Sequence, residues 1–457
     1  MTNALQQKLS DSKSARFTVL ALIAFTMFCG YFMTDVMAPL KPLLESQLKW
    51  TSTEFGIFTS SYAWFNVFFC MLIFSGIILD KLGVRLTGLG SCILMVIGCT
   101  FKFYAVSNPD VFQGTFNFFG TEIKMQVLAA GLGFAIFGVG IETAGITVSK
   151  AIVRWFKGKE LALAMGLEMA VARLGTGLAM VGTLPLADYF KNISTPILFG
   201  LALLCIGLFS WLVFCMKDRK LDASVKDEDM EPEEPFRVKD ILYIISNKGF
   251  WLIALLCVLF YSAVFPFLKY ATDLVINKYG VDPNVAGAIP SILPLGTIFL
   301  TPFFGNLYDR VGKGANLMII GAIMLIGVHV LFALPILNTW WFAALVTVIL
   351  GIAFSLVPSA MWPSVPKIIP ENKLGTAYAL IFWVQNWGLM GVPLLIGWVL
   401  DAYCKTGVAE DGRTTYDYTL PMIIFAGFGV LALFIALLLK REDKKKGYGL
   451  QKANIEK

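Results

Sequence analysis

Twelve long apolar runs dominate the 457 residues of this chain. Each is about 20 residues or more, the length a helix needs to cross the hydrocarbon core of a bilayer. They fall near 17–40, 54–79, 86–106, 125–149, 160–184, 194–216, 249–271, 285–308, 315–336, 339–362, 374–400 and 419–440. The runs are continuous, not alternating, so they predict helices and not barrel strands. The fold class read from them is an all-α membrane protein with twelve transmembrane helices. A soluble core cannot absorb them. Of the residues 57% are hydrophobic and 15% charged, against about a quarter charged in an ordinary soluble domain.

An even number of crossings puts both ends on one side of the lipid bilayer. With Met1 inside, the cytoplasmic segments hold 27 of the 37 Lys and Arg residues and the outer segments nine, with Arg173 deep in a helix. The positive-inside rule then makes both termini cytoplasmic. The expected address is a cell inner (cytoplasmic) membrane, or a lysosomal membrane in a eukaryotic cell. The net charge of +6 is explained by topology, so no nucleic acid is expected as a partner. One histidine, His329, and eight cysteines without a metal-ligand spacing argue against metal sites. With no nucleophile pattern, cofactor motif or ATP-binding loop, the chain reads as a non-enzyme without cofactors, powered by gradients.

A charged stretch divides the runs six and six. The domains read as a cytoplasmic tail (1–16), a six-helix bundle (17–216), a charged linker (217–248), a second bundle (249–440) and a basic tail (441–457). The halves are repeats. Gly76, Asp80, Lys81 and Gly83 recur 229 positions later as Gly305, Asp309, Arg310 and Gly312, in the pattern G-x-x-x-D-[KR]-x-G between spans two and three and spans eight and nine. Arg85 completes the first copy. A second match sets 161–164 against 374–377. A motif repeated in register marks an internal duplication. Gly76 and Gly305 are expected to let helices approach closely, and Asp80 and Asp309 to accept hydrogen bonds from a neighbouring helix N-terminus. Together they would form a latch on the cytoplasmic face.

Twelve spans in two halves, each with this loop, resemble the major facilitator superfamily. The resemblance implies two pseudo-symmetric bundles that rock about a central cavity by alternating access. Spans 1, 4, 7 and 10 would line the cavity, and 2, 5, 8 and 11 would frame it. Tyr261–Phe267, Pro358–Pro363 and Leu374–Tyr378, with Glu142 and Arg173, are similar to the lysosomal dipeptide transporter branch and its bacterial relatives.

Ionisable groups at membrane depth are costly and face a partner or a cavity. Glu142 and Arg173 lie about 15 and about 20 Å from the cytoplasmic ends of spans four and five, near mid-membrane. They can meet across adjacent helices, as a cavity pair or as a structural ion pair. At the 213-residue offset they correspond to polar Ser355 and Asn386, so both are assigned to the cavity. Glu168, about 140° around the helix from Arg173, is assigned to a structural or gating role nearer the cytoplasm. Asp35 and Lys269 either snorkel to the interface or pair as an outer gate. Tyr31, Asn66, Tyr261, Phe265, Trp362, Gln385 and Asn386 complete the candidate binding residues. His329 is read as lipid-facing or packed. Pro266, Pro358 and Pro363 should kink spans seven and ten. One acid and one base suit a zwitterion, so the expected cargo is a dipeptide or short peptide, moved by uniport or proton-linked transport by a monomer. The alternative is an organic-anion or sugar-phosphate exchanger, or a drug exporter, of the same superfamily.

Overall fold

The computed structural model describes residues 11–118, 120–156, 159–224, 238–370 and 373–454. Much of the stretch read as a linker therefore lies outside the described residues. Span 1 is the helix Lys13–Asp35, capped at its start by the Ser12 hydroxyl. Span 2 comes in pieces: Ser52–Ser61, Trp64–Phe68 and the beginning of Met71–Ser107. Gly83, at φ +73°, ends it, and span 3 is the rest of that helix. Spans 4, 5 and 6 are Met125–Phe156, Leu161–Phe190 and Thr195–Ser224. Span 7 is split into Lys248–Ser262 and Phe265–Tyr279, and span 8 into Pro283–Ala286 and Ala288–Val311. Spans 9 to 12 are Gly314–Ala333, Trp340–Met361, Leu374–Tyr403 and Thr419–Lys446.

Among the described residues eleven helices are long and apolar enough to cross a membrane. The fragmented span 2 makes the twelfth crossing. Spans 6 and 12 run several residues beyond the expected boundaries, Ser224 against 216 and Lys446 against 440. Two small antiparallel hairpins, Thr115–Phe118 with Thr121–Lys124 and Lys405–Val408 with Thr414–Tyr416, interrupt the all-helical pattern. Both lie on the side of the molecule opposite the termini, the hairpin side below.

Glycines report how the first six spans meet the last six. On the hairpin side they are crowded. A Cβ on Gly397 of span 11 would lie 2.3 Å from the Ser52 carbonyl oxygen of span 2, and one on Gly56 would lie 2.7 Å from that of Pro393. Gly287 beside span 8 presses equally on the Met180 carbonyl of span 5. On the termini side the same four helices carry Gly76, Gly166, Gly305 and Gly375, and a Cβ on any of these meets nothing within 4 Å. The halves are closed at one side and parted at the other. This corrects the expected close approach at Gly76 and Gly305, which sit where the halves have separated.

The motif's other glycines have a conformational role. Gly83 and Gly312 both take positive φ, +73° and +69°, which side chains resist. Asp80 accepts from Lys150 Nζ at 3.0 Å, and Asp309 accepts from the Asn454 amide at 2.8 Å. These side-chain contacts tie each aspartate to its own half. Arg85 reaches Asp222 of span 6 at 2.6 Å, which ties the first loop to its own half. Lys81 and Arg310 are exposed.

Valine at Gly397 should therefore destabilise the fold by about 1–3 kcal/mol, the usual cost of overpacking. Valine at Gly166 should change stability by less than about 0.5 kcal/mol. Thermal unfolding of the two variants in one detergent compares them.

Candidate functional site

A cavity of about 340 Å³ lies between the two halves, above the closed hairpin side. Spans 1, 2, 4, 5, 7, 10 and 11 line it. Seven of the nine candidate binding residues are on its wall: Tyr31, Glu142, Arg173, Tyr261, Phe265, Trp362 and Gln385. Its charged members are Asp35, Glu142, Arg173 and Lys269.

Arg173 enters from span 5 into an aromatic cage. Its guanidinium carbon lies 5.8 Å from the ring centre of Tyr31, 5.8 Å from that of Phe265 and 5.4 Å from that of Phe354. Each such contact is worth on the order of 0.5–2 kcal/mol. Among the described residues Arg173 has no ion pair and no hydrogen bond. The expected meeting with Glu142 is not made: the two share a cavity without an ion pair joining them.

Glu142 is held from elsewhere. Its carboxylate accepts from the Tyr62 hydroxyl at 2.7 Å. Tyr62 sits in the break between the first two pieces of span 2. Gly138, one turn before Glu142, lets span 4 press on that break, since a Cβ there would lie 2.0 Å from the Tyr62 carbonyl oxygen.

At the hairpin end of the cavity Lys269 of span 7 donates to Asp35 of span 1 at 2.6 Å and to the Thr34 carbonyl at 2.9 Å. The second oxygen of Asp35 accepts from Thr176 of span 5 at 2.9 Å. The ammonium thus satisfies a carbonyl at the C-terminus of span 1, where the helix dipole favours a cation. Both side chains are mostly buried, so the snorkelling alternative does not describe them here.

The second half supplies an aromatic wall. Trp362 Nε1 donates to the Tyr261 hydroxyl at 3.1 Å, and the Trp362 ring packs 5.1 Å from that of Phe382. Gln385 accepts a weak hydrogen bond from Cys257 Sγ at 3.6 Å.

Asn66 and Asn386 are the two candidates off the wall. Asn66 lies 3.5 Å from both the Gly138 carbonyl and the Asn386 amide oxygen, while Asn386 donates to the Phe382 carbonyl at 3.0 Å. Ser355, the repeat counterpart of Glu142, is fully buried and also off the wall. The second half fills these positions with packing, so the repeat does not carry polar function across. Glu168 is buried beside the cavity without lining it.

Two contacts escaped the sequence reading. Tyr62 gave no signal, being one aromatic in an apolar run. Phe354 had a faint one: at the 213-residue offset it matches Ile141, which lines the cavity. His329 is fully buried, and its Nε2 lies 2.8 Å from the Ala263 carbonyl. That carbonyl belongs to the break in span 7 just before Pro266. Lys102 is likewise fully buried. Its Nζ donates to the Met33 carbonyl at 3.3 Å and lies 4.7 Å from the Phe134 ring centre.

The sequence profile of the Major Facilitator Superfamily matches residues 23–390, and again 270–454. The lysosomal dipeptide transporter MFSD1 of Bos taurus is 28% identical over 413 residues, covering 88% of this chain and 83% of its own. The protein of the same name from Homo sapiens is 28% identical over 398 residues, covering 85% of this chain and 80% of its own. A bacterial homolog to the human lysosomal transporter Spinster, solved inward-facing and unoccupied, superposes with a TM-score of 0.67 at 15% identity, over 95% of this chain and 98% of that one. The nucleoside transporter NupG gives 0.66 at 16% identity, over 93% and 99%. These two structural likenesses speak for the fold.

Replacing Lys269 by Met leaves Asp35 without its cation in a mostly buried site. That change should cost about 3 kcal/mol. Asp35→Asn combined with Lys269→Met should recover much of the loss. Chemical unfolding of the single and double variants measures the coupling, and equal losses in both would show the pair to be idle.

Proposed function

The chain belongs to the major facilitator superfamily, and we propose that within it this protein carries small zwitterionic solutes, dipeptides or short peptides foremost, across a bilayer by alternating access. The observation that carries this reading is Arg173, a cation caged by aromatic rings and, among the described residues, without an ion pair or hydrogen bond to a carboxylate, on the wall of a cavity whose lining charges cancel. The cavity's two acids, Asp35 and Glu142, match its two bases, Arg173 and Lys269. A carrier of phosphorylated or other strong anions would call for a surplus of cations. A zwitterion brings one charge of each sign and leaves the balance unchanged.

In this mechanism the substrate carboxylate takes two parallel N–H bonds from Arg173. Its ammonium group takes Glu142, competing with the Tyr62 hydroxyl. The aromatic wall of Tyr261, Phe265 and Trp362 covers the remainder, and the mostly apolar lining tolerates varied side chains. Glu168, on the same helix as Arg173, serves as counter-charge while the cavity is empty. The name of the mammalian relatives, dipeptide transporters 28% identical, supports the same substrate class.

The distribution of Lys and Arg supports an orientation with both termini cytoplasmic. The conformation described then opens toward the cytoplasm, and the Asp35–Lys269 pair acts as an outer gate. The loops bearing Asp80 and Asp309 are each held on their own half while the cytoplasmic side is open. On closing, Gly76 and Gly305 come to the opposite half. The same inventory supports a cell membrane as the location, with a lysosomal one in a eukaryotic cell.

Thermal unfolding against a panel of dipeptides, amino acids, sugar phosphates, sugars and lipophilic cations tests the reading. A dipeptide at a hundred times its Kd should stabilise the protein by about 2.7 kcal/mol, and blocking either terminus should remove the effect. Arg173→Ala should weaken binding by at least about thirtyfold, the equivalent of about 2 kcal/mol. Wild-type affinity in that variant, or stabilisation by a sugar phosphate or lipophilic cation alone, would overturn the zwitterion site.

A further inference from the structure

On the hairpin side, away from the substrate cavity, the two halves close around a fully buried lysine. Lys41 lies in the short helix Lys41–Leu48 after span 1 and is fully buried. Its Nζ donates to Glu45 of the same helix at 2.8 Å and to Asp273 of span 7 at 2.7 Å. The Tyr416 ring lies 4.4 Å away. One ammonium therefore faces two carboxylates.

The two carboxylates are not equally served. Asp273 receives Lys41 and the Tyr418 hydroxyl on Oδ2, and the Asn277 amide at 2.9 Å on Oδ1. Both of its oxygens are supplied with donors. Glu45 gathers its donors on one oxygen: Oε1 accepts from Lys41, from Ser52 at 3.0 Å and from Tyr416 at 3.0 Å. Its Oε2 is buried and has no hydrogen-bond partner. The remaining groups close by are Tyr270, whose hydroxyl donates to the Pro393 carbonyl, and Asp401, which accepts from the Thr53 amide and has its own cation in Lys405 at 3.1 Å. No second cation in this set is left to neutralise Glu45. A buried ionised oxygen without a donor is strongly unfavourable, and a proton removes the charge.

We infer that Glu45 is a proton-binding site, loaded when the two halves meet on the hairpin side and emptied when they part. Its partners come from both halves, Ser52 from the first and Asp273 and Tyr416 from the second, so parting the halves dismantles the site. Glu45 then returns to water, where a glutamate titrates near about 4.3. In the closed arrangement burial pushes the Glu45 carboxyl up, Lys41 pulls it down and Asp273 pushes it up again, with a net upward displacement.

The sign follows from linkage. The closed form holds the proton more tightly than the open form, so acid favours closure. As pH rises above the ordinary carboxylate range and through the raised value, closure loses that advantage and opening gains. This is the reverse of an acidic cluster that acid would pry apart. One proton changes the ratio of open to closed by at most about tenfold per pH unit. The proton leaves and returns on the same side of the membrane, so it sets the balance between states and drives no uphill flux. The inference is independent of the substrate.

Hydrogen exchange of the full-length protein in detergent or lipid nanodiscs, corrected for the intrinsic pH dependence of exchange, tests this. Wild-type protection in segments 41–53 and 414–418 should fall with rising pH, by up to about tenfold per unit. Glu45→Gln should be protected and insensitive to pH. Wild-type protection that is flat or rises with pH, or a Glu45→Gln profile that follows the wild type, would overturn the site. Should Glu45→Gln fail to fold, the wild-type profile still decides. Asp401→Asn should then keep the slope, and its loss there would move the proton to Asp401 and overturn the assignment.

Discussion

Water is absent from the middle of a bilayer, so every polar group there must find its partner within the protein. Helices meet this demand for the backbone, and the twelve crossings follow from it. The helix breaks show how strictly it holds. At the break in span 7 the Ala263 carbonyl, buried from solvent, is met by His329. At the end of span 1 the last carbonyls are met by Lys102 and Lys269. Buried cations thus close off helix ends while rings or carboxylates temper their charge.

The same demand separates Arg173 from the other charges at depth. Asp35 and Lys269 satisfy one another, and Glu142 has Tyr62. Arg173, among the described residues, has aromatic faces around it and neither an ion pair nor a hydrogen bond. Rings offset part of the desolvation of a guanidinium without occupying its N–H groups. Such an arrangement holds a cation in place and leaves its hydrogen-bonding capacity for a ligand. The two sides of the molecule complement this. Tightly packed glycines and buried ion pairs hold the hairpin side shut, while the corresponding termini-side glycines stand in open space. A cavity closed at one side and reachable from the other is the geometry that a rocking-bundle carrier of this superfamily requires.

Much of the architecture was legible in the residues because lipid imposes a simple code: long apolar runs, with basic residues gathered on one side. The duplication was legible because its motif contains glycines that the loop needs, Gly83 and Gly312 with positive φ. The candidate site was legible in part. Glu142, Arg173, Asp35 and Lys269 stood out because charges in apolar runs are rare, and all of them line the cavity. Asn66 and Asn386 stood out as polar amides in apolar runs, yet they lie in helix packing. An amide can be satisfied by a neighbouring carbonyl, so its presence in a span does not identify a cavity. Tyr62 and Phe354 could not be told from the other aromatics of the spans. The Lys41, Glu45 and Asp273 cluster gave no signal in the sequence, because its members are 232 positions apart at the extremes.

The sequence by itself determined the number of crossings, their order, the duplicated halves and the charges that the membrane must hide. These are properties of single segments, set by the transfer of side chains and backbone from water into lipid. Only the tertiary structure decided which charges pair, which side is shut and which cation is left for a ligand. Those outcomes depend on how far helices rotate and how closely they approach. Span 4 can hand Glu142 to Tyr62 because Gly138 lets it press against a break in span 2, and Arg173 turns to rings supplied by spans 1, 7 and 10.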